Sequence, residues 1–158
     1  MIQKVAENGS PAHDVYKAYY VIDPKLAEAQ QRDMSSLLLG RRCPSCVERV
    51  MREKKPPTVR KQIRDMSRCC AQADGFISPD MPLKEIVFRL LLKNSNKATS
   101  LESLHWDVTE EWAAPTHPMN ISVEVMKRIL DSDGFYCFKE TTSKSRGQSR
   151  KKSRRKTR

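Results

Sequence analysis

The sequence predicts a mainly α-helical protein: a helical, cysteine-bearing basic segment, then an apolar three-helix unit ending in one short strand, then a basic tail. Three observations carry this expectation. Apolar residues recur at three- and four-residue spacing through most of residues 24 to 130, which is the period of an amphipathic helix. Only "FYCFKE", residues 135 to 140, reads as a terminal strand. Two cysteine clusters, "GRRCPSCVERV" and "SRCCAQADG", fall inside the most basic stretch of the body. With 158 residues, 38% hydrophobic and 31% charged, and nine prolines, the chain is large enough for one core concentrated in a few segments.

Each element follows from local chemistry. Residues 1 to 23 read as an N-terminal extended or docking segment in which Tyr16, Tyr19, Tyr20, Val21 and Ile22 come together. Asp23 before Pro24 is a helix start, because the carboxylate caps free amides and proline tolerates the first helical position. One helix is expected from Pro24 to Leu39, with Leu26, Met34, Leu37 and Leu38 buried and Gly40 as its stop. A short basic helix, "VERVMREKK", ends before Pro56 and Pro57, since a residue preceding proline is pushed out of helical angles. Thr58 caps the next, on which Val59, Ile63, Met66, Cys70 and Ala73 share a face and Gly75 ends the run. These helices make up a cysteine-containing segment over residues 24 to 81. From 82 to 140 come "LKEIVFRLLLK", a helix starting at Thr99 or Ser100 and running through Trp112, a third helix "ISVEVMKRIL", and the strand. Residues 141 to 158 hold nine Lys or Arg, no acid and no apolar anchor, so they are expected to be a disordered arm.

Cys43 and Cys46 have the C-x-x-C spacing that lets two thiolates reach one tetrahedral zinc from a tight turn. Cys69 or Cys70 supplies a third ligand, which makes the helical segment over residues 24 to 81 zinc-knuckle-like. The fourth ligand stays open among the second of that adjacent pair, His13, His105, His117 and Cys137. Neighbouring residues on a helix point about 100° apart, so Cys69 and Cys70 share an ion only where the helix ends or distorts. Two other readings stand beside zinc: buried thiols that merely pack, and a redox dithiol. The latter lacks the βαβ setting in which a catalytic C-x-x-C sits. A four-sulfur zinc is structural, because no position is left for an activated water.

Charge is segregated along the chain. Residues 41 to 68 carry +7 and residues 141 to 158 carry +9, while residues 69 to 140 carry −4. A zinc staple makes the first of these a rigid cationic platform from which Arg41, Arg42, Arg60, Lys61, Arg64 and Arg68 reach phosphates. Arg150, Lys151, Lys152, Arg154, Arg155 and Lys156 of the tail add sequence-independent attraction. The expected partner is therefore nucleic acid, RNA or DNA.

Three helices followed by an extended aromatic strand, with "ISVEVMKRILDSDGFYCF" running from the third helix through a turn into the strand, resemble a winged-helix domain over residues 82 to 140. The resemblance implies a short β wing and a third helix able to enter a DNA groove. This unit departs from that pattern in charge: Lys127 and Arg128 face Glu124 and Asp131, and the whole is acidic. Its expected role is docking to a protein partner.

Other function classes are disfavoured by the sequence. No nucleophile, base and orienting acid are grouped, and no glycine-rich phosphate loop is present, so the expectation is a non-enzyme with no small-molecule substrate. "QADGFISPD" lacks the ligand alternation of a calcium loop and reads as a turn. No apolar run is long enough to serve as an export signal or cross a membrane, and five cysteines without an export signal point to reduced thiols or a metal. A cytoplasmic accessory subunit of a larger nucleoprotein complex is expected; the alternative is a protein-interaction adaptor with packed cysteines and a solubilising tail.

Overall fold

In a computed structural model the protein is mainly helical, with a small three-stranded antiparallel sheet; it describes residues 15–113 and 119–142. The chain runs β1 (Tyr19–Ile22), α1 (Pro24–Ala29), α2 (Met34–Leu39), α3 (Pro44–Arg52), α4 (Val59–Arg68), a 3₁₀ turn (Cys70–Gln72), α5 (Leu83–Lys93), β2 (Thr99–Ser100), α6 (Leu101–Trp106) continuing into a wider π-helical turn (Asp107–Glu111), α7 (Val123–Asp131) and β3 (Phe138–Thr141). Of the expected disordered arm, residues 141 to 158, Thr141 instead closes β3 against Tyr19, and residues 143 to 158 lie outside the described residues.

The expected docking segment holds the middle of the sheet. β1 pairs with β3 in the register Tyr19 to Thr141 through Ile22 to Phe138, and with β2 at Tyr19 to Ser100 and Tyr20 to Thr99. Its alternation puts Tyr20 and Ile22 inward. Asn96 then closes the strand: its side-chain carbonyl accepts from the Ile22 amide at 2.7 Å and its amide donates to the Ile22 carbonyl at 2.8 Å. Cys137, with φ of 63°, aims its carbonyl at the Asp23 amide, 2.9 Å away.

The single helix expected over 24 to 39 is two helices. Asp33 accepts from the amides of Ser35 and Ser36, capping a new helix inside a continuous apolar pattern, and Gln31 turns left-handed at φ 55° to make the corner. A local cap thus overrides periodicity. Ser122 likewise caps α7 by accepting from the Val125 amide, so that helix starts later than its apolar pattern does.

α5 is the central element. Ile86, Val87, Phe88, Leu91 and Leu92 are fully buried, and each such side chain contributes on the order of 2 kcal/mol through transfer from water. Met66 and Ile63 of α4, Leu101 and Leu104 of α6, Met126 and Leu130 of α7 and Tyr20 of β1 join the same cluster. One core therefore unites the cysteine-bearing helices with the three-helix unit, and it fixes the cysteine turns against a rigid body.

Candidate metal centre and cationic face

Both cysteine pairs sit at helix ends, where backbone geometry changes. Cys43 is the N-cap of α3 in an extended conformation, followed by Pro44, and Cys46 lies buried in the first turn. At the other side α4 stops at Arg68; Cys69 leaves helical angles at φ −118°, ψ −70°, and Cys70 begins the 3₁₀ turn. The helix ending required for adjacent cysteines to share an ion is present.

The four sulfurs converge. Cys43 Sγ lies 3.5 Å from Cys70 Sγ and 3.7 Å from Cys69 Sγ, and the sulfurs of Cys43, Cys46 and Cys70 all lie within 4.8 Å of one another. A tetrahedron with metal to sulfur bonds of about 2.3 Å has sulfur to sulfur edges of about 3.8 Å. The cluster fits that frame.

The thiols differ electrostatically. The Ser45 hydroxyl beside Cys43 brings its thiol down to about 6 against the pull of burial, helped by the Cys46 amide. Burial, together with the neighbouring thiols, pushes Cys46 strongly up, and burial raises Cys70 as well. Sulfurs this close ionise together only around a cation. The Cys43 amide, donating to Cys70 Sγ at 3.3 Å, supplies the second-layer support typical of thiolate sites.

Among the other ligand candidates, Cys137 is buried at the foot of β3, its thiol directed to the Phe135 carbonyl. His105 bonds the Ile121 carbonyl at 2.7 Å, tying the loop before α7 to α6. His13 and His117 lie outside the described residues.

The expected cationic platform is divided. Arg60, Arg64 and Arg68 are exposed along α4, and among the described residues no carboxylate pairs with them. Lys61 is exposed but bridges Asp65 at 3.0 Å and Glu53 at 4.0 Å. Arg42 donates to Gln62, whose amide is held by Ser35 and the Pro57 carbonyl. Arg41 does not belong to the surface: its guanidinium grips Glu85 through two bonds of 2.8 and 2.7 Å, donates to the Leu37 carbonyl, and lies over Phe88. Arg150, Lys151, Lys152, Arg154, Arg155 and Lys156 lie outside the described residues.

Glu85 is the buried charged residue behind this site that sequence reasoning missed. Besides Arg41 it accepts from Arg89 and from the Tyr136 hydroxyl. Burial alone would raise its carboxyl, but these donors and the Arg41 charge outweigh it and hold the group at about 2. The pair anchors the loop that carries Cys43 to the central helix. The Glu85 to Arg89 spacing, four residues on one helix, was the only local signal of it.

No helix among the described residues is long and apolar enough to cross a membrane. No protein-family model, curated protein or solved structure matches the chain, so its functional reading stands on this site.

Proposed function

We propose that the protein is a non-enzymatic, zinc-stabilised accessory factor that binds RNA or DNA phosphates through the exposed arginines of α4 and the basic residues of the C-terminal tail. The observation that carries this reading is the row Arg60, Arg64 and Arg68, one turn apart and with no salt-bridge partner among the described residues, the one acid of the helix, Asp65, being paired to Lys61, ending where four cysteine sulfurs meet. Like charges at four-residue spacing destabilise a helix, and a metal at the end of α4 offsets that. Four sulfur ligands suit a structural tetrahedral zinc; an iron–sulfur centre has the same donor set and is distinguished by its colour.

The acidic unit that resembles a winged helix is assigned to a protein neighbour. On α7 Lys127 is committed to Asp131 and Glu140, both at 2.7 Å, which leaves Arg128 as the exposed cation of that helix. Trp106 is 58% exposed, with Glu102 and Glu110 four residues to either side, a surface suited to a basic partner rather than to phosphates.

Salt titration tests the assignment. The slope of log K against log salt for the purified full chain on a single strand and on a duplex should fall by about one per arginine neutralised, in Arg60→Gln, Arg64→Gln and Arg68→Gln. Truncation after residue 140 should flatten it further. Unchanged slopes in the arginine variants and in the truncation alike would remove the nucleic-acid reading and favour the adaptor role.

A further inference from the structure

We propose that the outer face of α6, with the π-helical turn that continues it, is a docking surface for the chain's own C-terminal tail, residues 143 to 158. Its consequence rests on the reading of that tail as a phosphate binder: the docked tail is withheld until nucleic acid competes it away.

The face is unpartnered and of one sign. Glu102, Trp106 and Glu110 recur at four-residue spacing, and all three are exposed, as is Glu111, so they form a row along one side of the helix. None of the three glutamates has an ion-pair partner among the described residues. From residue 98 to residue 126 the chain holds five acids and no Lys or Arg. Trp106 is 58% exposed, and no cation stands over its ring among the described residues. An open indole between carboxylates suits a Lys or Arg, whose stem lies on the ring while its charge meets the acids.

The tail is complementary and starts beside this face. It holds nine Lys or Arg and no acid. Tyr19 of β1 pairs with Thr141 on one side and with Ser100 on the other. β2 and β3 therefore leave the sheet at the same end, about 10 Å apart, β2 into α6 and β3 into the tail. Glu102 and Glu110 lie about 12 Å apart along the helix, a span of about four extended residues. Arg150 and Arg154, or Lys151 and Arg155, match that separation, and about 30 Å of extended chain from Thr141 to Arg150 is ample reach. Acids nearer the origin of the tail are already taken: Lys127 holds Asp131 and Glu140, both at 2.7 Å, and Lys139 holds Asp23 at 3.1 Å.

Zero-length carbodiimide coupling of the purified full chain, read by peptide mass spectrometry, tests the contact without nucleic acid. At low salt the tail lysines should be joined to Glu102, Glu110 or Glu111 within one chain, and the yield should fall severalfold at about 0.5 M salt. No links, links that favour other exposed carboxylates such as Glu28, Glu48 and Asp74, or links joining two chains each overturn the docking. Affinity for oligothymidylate gives a second readout. Glu102→Gln, Glu110→Gln and Glu111→Gln together should tighten binding about fivefold, the gain hidden by a tail docked about four times in five. All three side chains are exposed, so the variant leaves the core intact. The gain should vanish when Lys151→Gln, Lys152→Gln, Arg154→Gln and Arg155→Gln are added, whereas relief of simple repulsion would persist. A persisting gain, or none in the first variant, overturns the withholding. Links to α6 in a chain that binds no oligothymidylate keep the docking and remove the nucleic-acid reading; binding without links removes the docking alone.

Discussion

Glu85 lies on a helix whose other inward residues are apolar, and it is charged because two arginines and a tyrosine hydroxyl reach it. Its carboxyl titrates near 2 where an unfolded one titrates at 4.5. The native state therefore binds fewer protons between those values, so the contribution, about 3 kcal/mol, is complete above about pH 5 and is lost as pH falls toward 2. Glu85→Gln should destabilise the protein at pH 7 by that amount and flatten the acid limb; urea midpoints at neutral and acid pH read both effects. An acid limb as steep as in the wild type would assign the sensitivity to other carboxylates, such as Asp23 and Asp33, which are also held low. Sequence disclosed little of this residue, because its partners Arg41 and Tyr136 are 44 and 51 positions away and an acid in an apolar stripe reads as surface. The cysteines were legible for the opposite reason. Two of them sit at a spacing set by metal geometry, and the remaining pair needed only a helix end, which the chain supplies at Arg68.

At the scale of elements, what failed to show in sequence was whatever depends on a distant strand or a local cap. The four residues of β1 become a strand because β2 and β3, from far along the chain, flank them; alone they carry no pairing information. Within α1 and α2 the apolar spacing is continuous, and the break is made by one aspartate whose side chain competes for the amides. Gly75 was readable only as a left-handed turn: its φ is 79°, but the helix expected to run to it stops at Arg68 and a 3₁₀ turn intervenes. Gly75→Ala should therefore cost about 1 kcal/mol, all of it from backbone conformation because the added methyl has no neighbour within 4 Å. A thermal melt measures it; a neutral effect would mean that the turn between the cysteines and α5 relaxes without loss.

For the whole molecule the question is how far the proposed metal site and the core depend on each other. In small zinc domains the ion supplies nearly all the folding energy, and removing it unfolds the chain. Here Cys46 and Cys70 are 1% exposed and belong to the same buried cluster as Phe88, Leu91 and Leu104, which α5 holds together without any ion. The core should therefore survive chelation, while the junction between the start of α3 and the end of α4 should loosen, because the close sulfurs there would lose the proposed cation around which they ionise. Native mass spectrometry is expected to find one zinc per chain, and a strong chelator should lower the melting temperature by roughly 10 °C, the shift that about 3 to 5 kcal/mol produces in a chain of this size. Hydrogen exchange should speed up in residues 43 to 47 and 66 to 73 and remain slow in β1 and α5. Cys43→Ser should reproduce the chelated pattern without chelator, because Cys43 approaches both Cys69 and Cys70 and no other described thiol replaces it. Folded protein that carries no metal, with exchange at the cysteine turns indifferent to chelation, would leave the four sulfurs as packing groups and deprive the α4 arginines of their fixed base.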